Sequence, residues 1–416
     1  MTERLYYTDP NLTEFEGRFV AFSNITEERP HLGIILDRTA FYPTSGGQLF
    51  DTGWLSDADF PDGPKLRIVE VTELPSGDIA HCVEVPEGGV GIQKDAVIRG
   101  VIDRPRRRDH MQQHTGQHLL SAVFIELFNA PTVSFHMGDE TCTIDLDVKA
   151  LSPEQIREVK RRSNQIIADD VLVEIKFAPL EEARQMGVRK IPPEVKDKLR
   201  LIEIRGHDLT ACGGTHVGRT GEIGAILVRK TEKVKQGMRV EFVCGARAIA
   251  TARQDFETLT SAAALFSSHL YDVPEQIRKI LDESKSAGKR EQKTLAELAE
   301  FMAARMVADT PEINGVRLIT RTFADRDLGF IKLLAQKLAL HPGVVALLAT
   351  TVPQPSLVFA QSASGRFDMG ALMKESMAAL GGRGGGARDL AQGGPPAGSD
   401  VAGMLNSIAT KITNAL

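Results

Sequence analysis

His114-Thr-Gly-Gln-His-Leu-Leu120 and Cys212-Gly-Gly-Thr-His216 place four metal-ligand side chains in two pairs. The first stretch reads as helical. At a spacing of four, both imidazoles leave one helical face and can reach one ion. The second pair brackets two glycines, so a tight turn brings thiolate and imidazole together. A long stretch of chain separates the pairs, so only tertiary folding can join them. An ion bridging them would stabilise the fold as well as shape a pocket. Either pair alone reads as an ordinary helix face or turn. Two pairs in one chain, one with cysteine beside Gly-Gly, point to a divalent metal, zinc foremost. Four protein ligands suit a structural ion, and a catalytic site keeps a position open, so spacing leaves both roles open.

Before the first pair, residues 1–103 read as short strands. Phe15–Phe22, Gly33–Asp37, Arg67–Thr72, Ile79–Val85 and Val97–Asp103 alternate or run apolar between Pro, Gly and Asp punctuation. Many short strands at regular spacing predict a small β-barrel. A helix at about 106–129 carries His114 and His118. Strand-like alternation follows over 132–147. Ser152-Pro-Glu-Gln opens a helix to about 168, with Ser as N-cap and Pro in the first turn. A strand at 171–177 precedes a charged stretch, 181–199, with Pro192-Pro193, read as helix, loop, helix. A strand at 199–205 leads into the Cys/His turn, and 223–235 with 239–244 read as a hairpin. From 246 to about 308 the chain is rich in Ala, Glu and Lys. Ile277, Ile280, Leu281, Leu295, Leu298 and Met302 lie at helical spacing there, as a pair of helices or a weak coiled-coil stalk. Beyond 310, strands at 315–320, 344–349 and 356–360 alternate with helices at 327–340, 368–380 and 400–414.

The length of 416 residues predicts two to four domains. A net charge of −5 provides no global field toward nucleic acid, so any such binding uses local basic patches. Four cysteines make no disulfide framework. Cys82, Cys142 and Cys244 read as small buried residues, and Cys212 stands apart by its context. The N-terminus has acidic residues and no apolar core of a signal peptide, and no run reaches the length of a membrane span. These features predict a reduced, cytoplasmic setting with no membrane partner.

Phe41-Tyr-Pro-Thr-Ser-Gly-Gly-Gln48 adds a polar turn in which Gly46 and Gly47 allow close backbone approach, beside Thr44, Ser45 and Gln48. Gly381-Gly-Arg-Gly-Gly-Gly-Ala-Arg388, with Arg383 and Arg388, has the composition of an anion-binding backbone nest; a flexible linker is the plainer alternative. The polar turn, the two His/Cys motifs and the Gly-rich stretch, in this order, resemble the editing half of alanyl-tRNA synthetase and its freestanding relatives, the AlaX trans-editing proteins. The resemblance covers almost the whole chain. It implies an α+β multidomain architecture: an N-terminal β-barrel (1–103), a zinc-containing α+β editing core (104–247), a helical linker or coiled-coil stalk (248–309) and a C-terminal glycine-rich α/β DHH-associated domain that grips tRNA (310–416). No class II aminoacylation domain precedes the barrel, so the expectation is an editing protein of the long form, not a synthetase.

Residue by residue, the resemblance implies His114, His118, Cys212 and His216 as ligands of Zn2+. It puts Gln48 in the editing pocket and Thr44 where the serine hydroxyl is met, with Asp208 near the metal, where a turn-forming Asp is the alternative. Arg104, Arg106, Arg107 and Arg108 suit phosphate contacts near the acceptor end, or form a solvated basic turn. The implied reaction is hydrolysis of serine, or glycine, from mischarged tRNA(Ala), with no nucleotide cofactor. Zinc then binds the attacking water, the substrate amino group or the terminal ribose. Two other readings stand beside it: a noncatalytic tRNA-binding protein with structural zinc, and an editing protein for threonine-type tRNAs. The resemblance leaves a homodimer open.

Overall fold

The computed structural model describes residues 1–26, 29–60, 62–85, 90–191, 198–235 and 237–416. The second half of the helix–loop–helix expected at 181–199 falls on 192–197, outside the described residues; its first half is a short helix. The chain divides into two compact units, Met1–Ser261 and Ala262–Leu416.

In the first unit six strands close a barrel: β1 (Glu14–Thr26), β2 (Arg29–Leu36), β3 (Gly53–Asp57), β4 (Leu66–Glu73), β5 (Ile79–Val83) and β6 (Val97–Ile102), in the order β1-β2-β5-β4-β3-β6. Closure leaves no open sheet edge. Phe15, Ile34, Leu36, Phe41, Leu55, Ile68 and Val71 fill the interior. His81 is buried among them, one ring nitrogen 2.7 Å from Thr39 Oγ1 and the other 2.8 Å from the Ile34 carbonyl.

Helix α1 (Arg104–Phe128) leaves the barrel, begins with Pro105 in its first turn and ends on Asn129 in the left-handed region. From His110 to Phe124 every residue is buried, so this is a central helix rather than one with a solvent face. Two buried glutamines tie it to its surroundings: Gln113 donates to the Cys244 carbonyl and accepts from the Cys244 amide, and Gln112 donates to the Glu222 carbonyl. Strands β7 (Thr132–Met137) and β8 (Cys142–Leu146) follow, then α2 (Pro153–Ala168), whose Ser152 and Gln155 form a full capping box. Next come β9 (Val173–Pro179), α3 (Leu180–Gln185), β10 (Lys198–Ile204), β11 (Asp208–Ala211), β12 (Ile226–Val234) and β13 (Gly237–Cys244). They build a four-stranded sheet, β12-β13-β8-β7, and a three-stranded sheet, β9-β10-β11. Leu119, Leu120, Val123 and Phe124 of α1 share one core with Ile144, Ile202, Ile204, Val240 and Phe242 of the two sheets. Cys82, Cys142 and Cys244 are buried free thiols, as read. Helix α4 (Gly245–Leu265) follows.

The second unit contains α5 (Val273–Asp309), β14 (Arg317–Phe323), α6 (Leu328–Ala339), β15 (Val344–Thr350), β16 (Ser356–Gln361), α7 (Met369–Leu380), β17 (Arg383–Gly386), β18 (Leu390–Gly394) and α8 (Val401–Asn414). The sheet order is β14-β15-β16-β18-β17. The last turns of the stretch expected as a stalk are part of this unit's core: Ala299 and Ala303 are buried with Leu334 and Leu338 of α6. The Gly-rich stretch is the clearest departure from expectation. It is not an anion nest but an antiparallel hairpin, with Gly384 paired to Gly393 and Gly386 to Ala391. Its glycines make room for α7: a Cβ on Gly393 would meet Met377 Sδ at 2.6 Å and Met373 Sδ at 2.7 Å. Among the described residues, no helix is long and apolar enough to cross a membrane.

Candidate metal centre and its cavity

The fold brings His114 and His118 of α1 together with Cys212 and His216 of the turn after β11. One potential ligand atom from each lies within 4.8 Å of all the others. Cys212 Sγ stands 3.5 Å from His114 Nε2 and 3.4 Å from His216 Nε2. The turn is close-packed for this purpose. A Cβ on Gly214 would strike His114 Cε1 at 2.2 Å, so only glycine lets the ring approach.

Each imidazole has a partner behind it. His114 Nδ1 is 2.8 Å from Gln48 Oε1, His216 Nδ1 is 3.1 Å from Thr115 Oγ1, and His118 Nδ1 is 3.4 Å from Asp208 Oδ2. Such outer groups fix ring orientation and tautomer. Burial opposes ionisation of the Cys212 thiol. The His114 and His216 rings, with hydrogen bonds from His114 and His118, outweigh it and hold the thiol well below its ordinary value. Burial and the neighbouring His114 keep His216 well below its ordinary value. Burial lowers His118, but Asp208 and Cys212 overcome it and raise the ring to about 9. The donor set fits a borderline-soft divalent cation, which would meet a thiolate and take the place of a proton on His118.

The centre opens on a cavity of about 440 Å³, lined by His114, His118, Cys212, Gly213, Ser45, Gly46, Ser134 and Thr210 among others. Several expected contacts are relocated. Thr44 is exposed and outside this lining, its amide 3.3 Å from the Val71 carbonyl; Ser45 and Gly46 face the cavity instead. The cause is the tight turn in which Ser45 and Gln48 exchange backbone hydrogen bonds, with Gly46 at φ +57° and Gly47 at +86°. Gly47 serves the fold, not a ligand: a Cβ there would meet the Phe135 carbonyl at 2.8 Å. Gln48 is fully buried and does not line the cavity. Its amide oxygen faces His114 Nδ1 and accepts from the Thr215 amide, and its nitrogen donates to Thr215 Oγ1 at 2.8 Å. It holds the two metal motifs in register.

Asp208 is likewise engaged. It accepts from Arg189 at 2.7 and 3.0 Å, and despite burial its bonds to His118 and Arg189 hold its carboxyl below the usual range. Arg107 cannot meet a phosphate: it is 1% exposed, ion-paired with Asp51 and hydrogen-bonded to the Pro10 and Ala40 carbonyls. Arginines at four of five successive helix positions fan out, and this one points into the protein. Arg104 and Arg108 are exposed at a shared recess, and Arg106 is half-buried, donating to the Phe50 carbonyl. Arg383 and Arg388 are exposed in and beside the β17–β18 hairpin. Sequence reading missed Thr115, Thr215, Arg189 and Arg200. Thr115, inside His114-x-x-x-His118, and Thr215, inside Cys212-x-x-x-His216, had a local cue. Arg200 is buried, donates to the carbonyls of Tyr7 (2.9 Å), Cys212 (2.6 Å) and Gly214 (3.0 Å), and keeps Nη2 without an acceptor among the described residues.

A barrel joined to a His/Cys-centred α+β core is the setting of two family models. Residues 3–106 match the class II (A) tRNA synthetases, and residues 199–240 match the threonyl and alanyl tRNA synthetase second additional domain. The chain is 30% identical to the alanyl-tRNA editing protein AlaX-L of Pyrococcus horikoshii over 403 residues, covering 94% of each. It is 31% identical to the alanine–tRNA ligase of Pyrococcus abyssi over 407 residues, covering 94% of this chain but 42% of that ligase. The chain belongs to the alanyl-tRNA editing protein family and spans less than half the length of the ligases it matches. The C-Ala domain of Aquifex aeolicus alanyl-tRNA synthetase aligns with 24% of this chain and 96% of its own, at 22% identity and a TM-score of 0.23.

Proposed function

We propose that this chain is a trans-editing hydrolase that deacylates tRNA(Ala) mischarged with serine, with glycine as a second substrate. The observation that carries the reading is the buried His114–His118–Cys212–His216 group opening on a cavity, in a chain collinear with an alanyl-tRNA editing protein over 94% of both lengths. Zinc suits the donors. Usual Zn–N and Zn–S lengths at a tetrahedral angle put N and S about 3.5 Å apart, against 3.5 and 3.4 Å here. When bound, zinc supplies a Lewis acid at the cavity floor.

The protein groups do the remaining work. Gln48, Asp208 and Thr115 orient the ligand rings. Ser45 and Thr210 offer hydroxyls to the bound amino acid. Serine differs from alanine by one hydroxyl, and a hydrogen bond to it contributes about 0.5–1.5 kcal/mol net, roughly a tenfold rate ratio. A polar site of this kind selects for a hydroxyl that an apolar pocket discriminates poorly. The ester is already activated, so hydrolysis consumes no nucleotide. Arg104, Arg108, Arg383 and Arg388 are free to meet phosphates, whereas Arg107 is not.

The test is a deacylation panel of Ser-, Gly- and Ala-tRNA(Ala), with and without chelator. Serine release faster than alanine release supports the reading. Tight tRNA binding with no release from any of the three would favour a noncatalytic binding protein.

A further inference from the structure

The turn between Cys212 and His216 is held by backbone groups on both sides of Gly213. The Cys212 amide donates to the Arg200 carbonyl, the Gly214 amide to Cys212 Sγ at 3.3 Å, and the Thr215 amide to Gln48 Oε1 at 3.0 Å. The Cys212 and Gly214 carbonyls accept from Arg200 Nη1. Among the described residues, two N–H groups of the turn have no acceptor, those of Gly213 and His216, and of these two only Gly213 lines the cavity.

Its direction follows from the peptide plane. The Cys212–Gly213 bond is trans, so its N–H points opposite to its C=O. Arg200, which holds that carbonyl at 2.6 Å, does not line the cavity, and Gly213 does. The guanidinium thus fixes the peptide from behind and turns the unpaired N–H toward the cavity, beside Cys212.

We infer that the Gly213 N–H is the oxyanion donor of the hydrolysis and that Arg200 is the positioning residue that aims it. The inference rests on the editing reading above. Water adds to the ester carbonyl carbon, and the π pair moves onto the carbonyl oxygen, which the Gly213 N–H receives. Collapse re-forms the C=O bond and breaks the bond to the ribose oxygen. That oxygen takes up the proton the water gives up, releasing free amino acid and intact tRNA. A fixed backbone donor in a water-poor site strengthens as charge develops on the oxygen and needs no reorganisation.

The experiment compares Gly213→Ala, which keeps the N–H, with Gly213→Pro, which removes it. Each is assayed on Ser-tRNA(Ala) and, after cobalt substitution, for the thiolate-to-cobalt absorption band. A Cβ at position 213 would meet Tyr7 Oη at 3.4 Å, an ordinary contact. The Ala variant, which keeps the donor, is expected to retain a kcat well above that of the Pro variant. The Pro variant is expected to lose about 10²–10³ in kcat, the cost of one oxyanion-hole donor, with KM and the cobalt band retained. A Pro variant with an intact band and wild-type kcat overturns the assignment. If that variant does not fold, Arg200→Met decides. A kcat loss of about 10- to 100-fold at unchanged KM and unchanged cobalt band supports the aiming role. An unchanged kcat, or a loss that accompanies loss of the band, overturns it. A wild-type protein that leaves Ser-tRNA(Ala) intact sinks the editing reading itself, whereas an active wild type with an unaffected Pro variant sinks only the role of Gly213.

Discussion

Gln48 sits where two distant motifs meet, and its buried amide serves both. Replacing it by Ala strands His114 Nδ1 and the Thr215 N–H. We predict that Gln48→Ala lowers metal affinity about 10- to 100-fold, the usual effect of losing an outer partner of a ligand histidine. Competition with a chromophoric chelator measures it. The ratio of serine to alanine release by metal-saturated protein should stay as it was. A collapsed ratio with undiminished metal affinity would mean that Gln48 meets the substrate. The four His and Cys residues were legible because each pair is local: a helical spacing and a glycine turn. The direction of Arg107 was not. The four arginines between 104 and 108 look equivalent until the barrel fixes which way the helix faces. Arg189 and Arg200 left no trace in the sequence pattern, since each finds its partners only through tertiary folding.

Among the elements, the barrel strands were readable from their alternation, except β3. Its five residues, Gly53–Asp57, are too short and too polar at their end to stand out. The Gly-rich stretch misled because glycine supports both nests and close-packed strands. The deciding fact is α7 lying on it, which composition does not reveal. The barrel also carries a pH dependence. Burial pushes His81 down to about 4, against the opposing bond to the Ile34 carbonyl. In the unfolded chain its pKa is near 6.5, so the unfolded state takes up the proton first. The contribution is fully present above about pH 6.5 and is lost as pH falls toward 4, by roughly 3 kcal/mol. His110, held near 3 mainly by burial, acts with the same sign. Urea midpoints at pH 7 and pH 4.5 should therefore differ, and His81→Gln should narrow the gap. A gap of the same size in the variant would place the acid sensitivity elsewhere.

For the whole molecule, the two units divide the work in our reading: chemistry in the first, additional tRNA affinity in the second. A chain ending at Ser261 should keep its metal. It should bind tRNA more weakly and with a shallower dependence on salt, because phosphate contacts such as those proposed for Arg383 and Arg388 are gone. Binding that matches the full chain at several salt concentrations would refute this division. The separation of the metal motifs also bears on biosynthesis. Cys212 follows His114 by 98 positions, and at 5–20 residues per second a ribosome needs about 5–20 s to cross that span. Through that interval the nascent chain exposes a bare histidine pair, a weak and unselective chelator. On the zinc reading, the full donor set would form only when the thiolate emerges, so the order of translation would itself filter which ion stays.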